Sequence, residues 1–210
     1  MHTTGKTAEA DYYYRERSRF LIDRYERVSF EEVHGDLVEF LPAHPGDILD
    51  VGAGSGRDAA WFASRGWKVV AVEPSRRLSE GAQHLHRLDS IRWIDDSLPE
   101  LAVVAGLGIA FDVILLSAVW MHVPPDDEKI ALKRLTTLAK TGAILNITIR
   151  MGGEQEHRGF YRTDPPRLIQ RALACGLQLK RRTENRDALQ RSGVVWSSLI
   201  LQSSASPLRS

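Results

Sequence analysis

The segment Ile48–Arg57, which reads ILDVGAGSGR, joins an apolar run to three alternating glycines. The apolar run predicts a buried strand, and the residues that follow it predict a helix. Glycine allows the sharp turn between the two and lets a ligand approach bare backbone N–H groups. Arg57 stands where the dinucleotide-binding fingerprint has its third glycine. The segment therefore predicts a strand–turn–helix unit with a ligand at its turn.

Strands and helices alternate outward from this segment. Strands are predicted at residues 47–51, 68–72, 91–94, 111–117, 143–149, 177–182 and 194–201, and helices at 29–41, 57–65, 75–88, 126–138 and 164–176. Such alternation favours a parallel sheet covered on both sides. Only a loop joins the last two strands, so these should pair antiparallel. The predicted class is α/β, a seven-stranded mostly parallel sheet with an antiparallel final strand and helices on both faces.

Composition narrows the class of protein. The chain has 210 residues, 43% of them hydrophobic, which suits a single globular domain. A net charge of +1 gives no electrostatic case for nucleic acid or an anionic membrane. The single cysteine, Cys175, cannot form an internal disulfide, which fits a reducing cytoplasm. We therefore expect a cytoplasmic protein, either a monomer or a homodimer.

Two segments need separate interpretation. The polar N-terminus lacks the apolar core of a signal peptide. Residues 101–123 are mostly apolar, but Asp112 and two glycines interrupt them, which favours a loop followed by a strand buried on both faces over a membrane span. The predicted organisation is an N-terminal lid segment at residues 1–28, a ligand-binding domain at 29–202 and a polar tail at 203–210. The lid segment is predicted to contain one or two short helices.

Three stretches carry a family resemblance. Asp50–Gly56, Val69–Ser75 and Phe111–Ser117 resemble the class I S-adenosylmethionine-dependent methyltransferases, which have a Rossmann-like fold. The resemblance spans roughly residues 20–202. It implies S-adenosylmethionine as cofactor, with the glycine loop around its methionine part. One departure is Lys140-Thr141-Gly142-Ala143, where the family usually has Pro-Gly-Gly in a structural turn.

The resemblance also implies roles for individual residues. Glu73 ends the second strand, where its carboxylate can accept both ribose hydroxyls. An acid after the third strand would meet the adenine amine, and Asp96 is favoured over Asp95. Ser117 and Val119 are candidate backbone contacts to the methionine part. The full set of cofactor-binding candidates is Tyr25, Asp50, Gly52, Ala53, Gly54, Gly56, Arg57, Glu73, Pro74, Ser75, Asp95, Asp96, Ser97, Leu98, Ser117 and Val119.

Three clusters are candidates for the acceptor site. His122 follows the fourth strand and is a candidate base, or else a histidine that packs beneath the loop. Arg158, like Arg150, lies in a long polar loop after the fifth strand and could hold an anionic group, or the loop is merely solvated. Tyr14 belongs to a tyrosine-rich N-terminal segment that either covers the ligand or packs a helix. The candidate catalytic residues are therefore His122, Tyr14 and Arg158.

The sequence is compatible with more than one class of methyl acceptor. Methyl transfer from a sulfonium needs orientation more than a dedicated catalyst, so no metal is expected. A small lid favours a small-molecule acceptor. An RNA acceptor, such as tRNA, is an alternative because Lys180–Arg182, Arg186 and Arg191 form a basic run, although such runs are usually solvated. A cofactor-binding regulatory module without transferase activity is the other alternative.

Overall fold

The computed structural model describes residues 5–152 and 160–204, with side chains from residue 12 onward. Its sheet has seven strands, β1 (Asp47–Val51), β2 (Lys68–Val72), β3 (Ile91–Ile94), β4 (Phe111–Leu116), β5 (Ala139–Met151), β6 (Leu177–Arg186) and β7 (Val195–Ser203). Around it lie the helices α1 (Gly5–Tyr25), α2 (Phe30–His34), α3 (Arg57–Ala63), α4 (Arg76–Leu85), α5 (Ala102–Ala105), α6 (Glu128–Leu138) and α7 (Pro165–Ala174). Two 3-10 helices cover Gly35–Phe40 and Trp120–His122.

The sheet has the order β3-β2-β1-β4-β5-β7-β6. The first five strands pair in parallel, and β7 runs antiparallel to both β5 and β6. This confirms the predicted α/β class and its antiparallel final strand. The chain progresses toward one edge from β1 to β3 and toward the other from β4 onward. Ligands of open α/β sheets bind outside the carboxyl ends of the strands at such a switch point.

Alternate residues of the central strands pack into two cores, one on each face of the sheet. Leu49, Ile114 and Leu116 belong to one core, which α6 and α7 cover. Ile48 and Val113 belong to the other, together with Phe62 of α3. The continuous apolar run before Ser117 is therefore a strand buried on both faces, as the sequence indicated.

Several elements differ from their predicted extent. The predicted helix at residues 29–41 is α2 followed by a 3-10 helix, and β6 extends to Arg186. The loop expected before β4 contains the short helix α5, and the N-terminal segment forms one helix, α1. β5 begins at Ala139, which pairs with Phe111 of β4, and it ends at Met151, because β7 pairs with it over eight residues from Ile144 to Met151. Among the helices in residues 5–152 and 160–204, none is long and apolar enough to cross a bilayer.

Helix α1 packs against α4, and this contact positions the N-terminal segment. Leu21 of α1 is 1% exposed. Gly81 lies in α4 where an added Cβ would come within 2.4 Å of the Cδ1 atom of Ile22. The backbone carbonyl of Arg15 also accepts a hydrogen bond of 3.2 Å from Arg77. The N-terminal segment is therefore docked beside the carboxyl edge of the sheet.

Candidate active site

A cavity of 570 Å³ opens at the carboxyl edge of the sheet, between the switch point and the N-terminal helix. Its volume falls within the range of roughly 300–1,000 Å³ that is typical of small-molecule sites. The residues just past β1, β2, β3, β4 and the end of β5 line it, together with α1 and the turn between β6 and β7. One cavity thus receives side chains from most of the elements at this edge.

The glycine loop forms one wall of the cavity. Gly52, Gly54 and Gly56 have φ angles of 71°, 58° and 83°, which side-chain-bearing residues rarely adopt. An added Cβ on Gly52 would lie 2.4 Å from Val119. The N–H groups of Gly52 and Ala53 both donate to the carbonyl of Val72, at 2.8 and 2.9 Å, which holds the loop against β2. Glycine therefore allows the sharp turn, and at Gly52 it also lets the loop after β4 pack closely against the glycine loop.

Glu73 lies at the end of β2 and is only 7% exposed. One carboxylate oxygen accepts from the N–H of Gly54 at 2.9 Å, and the other from the N–H of Ser75 at 2.8 Å. Burial raises the pKa of Glu73 to about 7, although both hydrogen bonds favour the charged form. Each oxygen has a second lone pair. The carboxyl group can therefore accept further donors from a ligand in the cavity.

The two candidate acids after β3 have different surroundings. Asp96 lines the cavity, and its carboxylate accepts from the N–H of Ser97 at 2.8 Å and from the N–H of Val104 at 3.0 Å. Asp95 is exposed and does not line the cavity. The hydrogen bonds of Asp96 join the loop after β3 to the start of α5. The cavity geometry favours Asp96 over Asp95 as a ligand-binding acid, in agreement with the sequence analysis.

A buried polar network lies beneath the glycine loop. Arg57 holds Asp58 through two hydrogen bonds, Nε–Oδ1 at 2.7 Å and a second guanidinium nitrogen to Oδ2 at 2.9 Å. Nε2 of His34 lies 3.2 Å from Oδ2 of Asp58 and 2.9 Å from Oγ of Ser117. Burial alone would raise the pKa of Asp58, but Arg57 and His34 hold that pKa well below its usual range. His34 thus joins α2 to two residues that line the cavity.

Asp50 belongs to the same buried region but not to the cavity wall. Its pKa is well above the usual range because the carboxyl group is buried and lies near Asp58. The backbone N–H of Ala59 in α3 donates a hydrogen bond to this carboxyl group. Gly56 also lies outside the wall: it is the N-cap of α3, and an added Cβ there would meet His86 and Trp93. Both residues support the loop from behind.

At the other end of the cavity, two candidate catalytic residues are in contact. The hydroxyl of Tyr14 lies 3.0 Å from Nε2 of His122. The His122 ring also packs edge-on against Phe160, with centroids 5.0 Å apart. The N–H of Tyr161 donates to the carbonyl of Met121 at 2.8 Å, which ties the chain after the polar loop to the 3-10 helix of His122. The third candidate, Arg158, lies outside the described residues.

Most predicted site residues meet at this cavity. Its wall includes Tyr14, Tyr25, Gly52, Ala53, Gly54, Arg57, Glu73, Pro74, Ser75, Asp96, Ser97, Leu98, Ser117, Val119 and His122. Three predicted cofactor-binding residues do not line it: Asp50, Gly56 and Asp95. The first two lie under the glycine loop, and the third points to solvent.

The sequence analysis missed the turn between β6 and β7. Asn185, Arg186, Asp187, Ala188, Leu189, Arg191 and Trp196 line the cavity. The three acceptor clusters predicted from the sequence do not include this turn. A signal existed: a final antiparallel strand paired with β5 must place its preceding turn at the carboxyl end of β5. The sequence analysis predicted that the last two strands pair, but it did not predict which strand of the sheet this pair lies beside.

The predicted basic run lies on β6 and in the turn after it, and three of its arginines are paired. Arg181 forms an ion pair with Glu39, and Arg182 lies 2.9 Å from Glu184. Arg191 contacts Asp187 at 2.6 Å. Paired cations contribute less to phosphate binding than free ones. This run therefore offers little support for the RNA alternative.

The fold and the cavity define a Rossmann-like α/β protein with a ligand site beside its glycine loop. A family model described as a methyltransferase domain matches residues 13–175, so the chain belongs to the methyltransferase domain family. This confirms the resemblance inferred from the sequence. No curated protein sequence matches the chain.

Three solved structures illustrate how widely this fold is shared. The 1,6-didemethyltoxoflavin-N1-methyltransferase of Burkholderia thailandensis has a TM-score of 0.65 and 19% identity, over 93% of this chain and 90% of that one. Magnesium protoporphyrin IX methyltransferase of Synechocystis PCC 6803 has a TM-score of 0.59 and 14% identity, over 97% and 86%. The cyclase SpnF has a TM-score of 0.71 and 13% identity, over 95% and 96%. At these identities the likeness shows the fold alone.

Proposed function

We propose that this protein transfers a methyl group from S-adenosylmethionine to a small molecule bound in the 570 Å³ cavity. The observation that carries the proposal is the position of Glu73, a buried carboxyl group facing the cavity next to the glycine loop. Two of the similar structures support it, because their bound ligands are S-adenosylhomocysteine with 1,6-didemethyltoxoflavin in one and S-adenosylmethionine in the other.

The residues present fit this cofactor. Gly52 and Gly54 leave backbone exposed where a side chain would otherwise fill the cavity wall, which suits the methionine part. The carboxylate of Glu73 can accept the ribose hydroxyls. Asp96, Ser97 and Leu98 would hold the adenine end, while Tyr25, Ser117 and Val119 would complete the methionine end. Bound there, S-adenosylmethionine would supply an electrophilic methyl group on a sulfonium.

The Tyr14–His122 pair would serve the acceptor. A nucleophile that carries a proton at neutral pH must lose it during the transfer, and His122 can take that proton because an imidazole titrates near neutrality. The hydroxyl of Tyr14 would hold the imidazole in position through the 3.0 Å contact. The aromatic rings around the pair would keep water away from the reacting atoms.

Calorimetry with S-adenosylhomocysteine tests the proposal directly. We expect Glu73→Gln to weaken binding by about 1–3 kcal/mol, as for the loss of hydrogen bonds to a charged group. Glu80→Gln is the matched control, since Glu80 is exposed on α4 and pairs with Arg76. Unchanged affinity in Glu73→Gln would overturn the ribose assignment, and a wild-type protein that binds neither form of the cofactor would overturn the proposed function. A screen of small acceptors for S-adenosylhomocysteine formation would then identify the substrate.

A further inference from the structure

Polar and aromatic side chains form two rows across β5, β7 and β6 at the carboxyl end of β5. In one row Arg150 lies opposite Trp196, which lies opposite Asn185. In the adjacent row Thr148 lies opposite Ser198. Residues directly opposite in a sheet point to the same face with their Cβ atoms about 4.5–5.5 Å apart. All five residues line the cavity, so the rows form one of its walls.

The indole of Trp196 is held in a defined orientation. Its Nε1–H donates to Asp187 at 2.8 Å, and Asp187 is only 7% exposed. The guanidinium and the backbone N–H of Arg191 also donate to this carboxylate, at 2.6 to 2.8 Å. Arg191 thereby neutralises Asp187. The turn is therefore pinned, and it presents a rigid aromatic surface without a net negative charge.

Two more aromatic rings face the same space. Phe160 is 8% exposed and packs against His122, and Tyr161 also lines the cavity. The guanidinium carbon of Arg150 lies 5.5 Å from the centroid of the Phe160 ring. A guanidinium has five N–H donors, so it can contact the ring and other partners and still donate to a ligand anion. This end of the cavity thus combines flat apolar surfaces, a cation and a candidate base.

Resting on the proposed methyl transfer, we propose that the acceptor is a flat aromatic carboxylate that bears an ionisable O–H or N–H. Its ring would lie between Trp196 and Phe160, and its carboxylate would bind Arg150. The O–H or N–H would face the Tyr14–His122 pair. In the transfer its proton passes to His122, the new O–C or N–C bond forms to the methyl carbon, and the S–C electron pair stays on sulfur.

Binding to protein saturated with S-adenosylhomocysteine tests this inference. The probes are the three hydroxybenzoate isomers, the matching hydroxybenzyl alcohols, cyclohexanecarboxylate and tyramine, measured by calorimetry. We expect at least one hydroxybenzoate to bind at least roughly 10-fold more tightly than its alcohol, since a charge-assisted hydrogen bond is lost in the alcohol. The same isomer should also bind more tightly than cyclohexanecarboxylate, which lacks the flat ring, and than the cation tyramine.

Two variants test whether Arg150 binds the carboxylate. Arg150→Met should remove the preference for the hydroxybenzoate over its alcohol, and Arg182→Met should keep it, because Arg182 lies opposite Leu199 on the other face of the same sheet. Equal binding of acid and alcohol, or tighter binding of tyramine, overturns the inference. Saturation with S-adenosylhomocysteine is verified first, so a failure of the aromatic carboxylates alone leaves the proposed function standing.

Discussion

The hydroxyl of Tyr14 lies 3.0 Å from Nε2 of His122, although 108 residues separate the two in the chain. Tyr14 belongs to the N-terminal helix, and His122 to the 3-10 helix after β4. The pair forms only because α1 docks on α4 and brings its tyrosine over the carboxyl edge of the sheet. The contact between Tyr14 and His122 is the basis of the first prediction.

We expect His122→Gln to lower kcat by about 10²–10⁴-fold, which is the usual contribution of a general base. Tyr14→Phe keeps the ring and removes only the hydroxyl, so kcat should fall by a smaller factor, roughly 10-fold. Affinity for S-adenosylhomocysteine should stay unchanged in both, because the pair lies at the acceptor end. Steady-state rates and calorimetry measure the two effects.

Tyr12→Phe is the matched control, because Tyr12 lies on the same helix and is 61% exposed. It should behave as the wild type in both measurements. If His122→Gln retains full turnover with a protonated acceptor, the pair is structural and not catalytic.

A second prediction concerns the pH dependence of Glu73. Burial raises its pKa in the folded protein to about 7, from an ordinary value of 4.5. Between these two values the folded state binds more protons than the unfolded state, so this group makes stability fall as pH rises. The loss should be on the order of 3 kcal/mol by pH 8, because one pKa unit corresponds to about 1.4 kcal/mol.

Urea unfolding of wild type and Glu73→Gln at pH 5, 6 and 8 isolates this contribution. The free energy of unfolding of the wild type should decline relative to the variant across that range. S-adenosylhomocysteine should in turn bind the wild type more tightly as pH rises, because ribose hydroxyls donate to the charged carboxylate. Parallel stability curves for the two proteins would contradict the raised pKa.

A third prediction concerns His34, which is completely buried between Asp58 and Ser117. His34→Ala should lower the free energy of unfolding by about 2–4 kcal/mol, since it opens a cavity and removes partners of two polar groups. It should also weaken S-adenosylhomocysteine binding, because Asp58 and Ser117 line the cavity. His34→Gln retains a donor and should recover part of both losses.

The exposed His84 on α4 provides the control, and His84→Ala should change neither quantity. If His34→Ala and His34→Gln bind the ligand as tightly as the wild type does, His34 contributes only to stability.

The fourth prediction is that the N-terminal segment acts as a lid. Backbone amides between Tyr12 and Tyr25 should exchange more slowly when S-adenosylhomocysteine is bound, because Tyr14 and Tyr25 line the cavity. Hydrogen exchange measures this, with the amides of α6 as an internal reference. Leu21 is nearly fully buried, so some protection is expected without ligand. Equal protection in both states would make α1 a fixed part of the fold.

The alternation of strands and helices was readable from the sequence because each element is decided by local forces. The bounds of β1, β2 and β3 match their predictions, since apolar runs and glycine turns limit how far a strand can extend. The glycine loop was equally predictable: its three positive φ angles suit few residues other than glycine. The roles predicted for Glu73 and Asp96 came from the family resemblance, which matches acids after the second and third strands.

The acceptor end of the cavity was decided by tertiary structure. The row of Arg150, Trp196 and Asn185 depends on the register of β7 between β5 and β6, which no local pattern encodes. Likewise, the burial of His34 and Asp50 depends on which elements pack around the glycine loop. Sequence alone thus determined the fold and the glycine-loop end of the cavity, because backbone conformation is a local property. Only tertiary structure decided the acceptor end, because distant side chains meet there through packing.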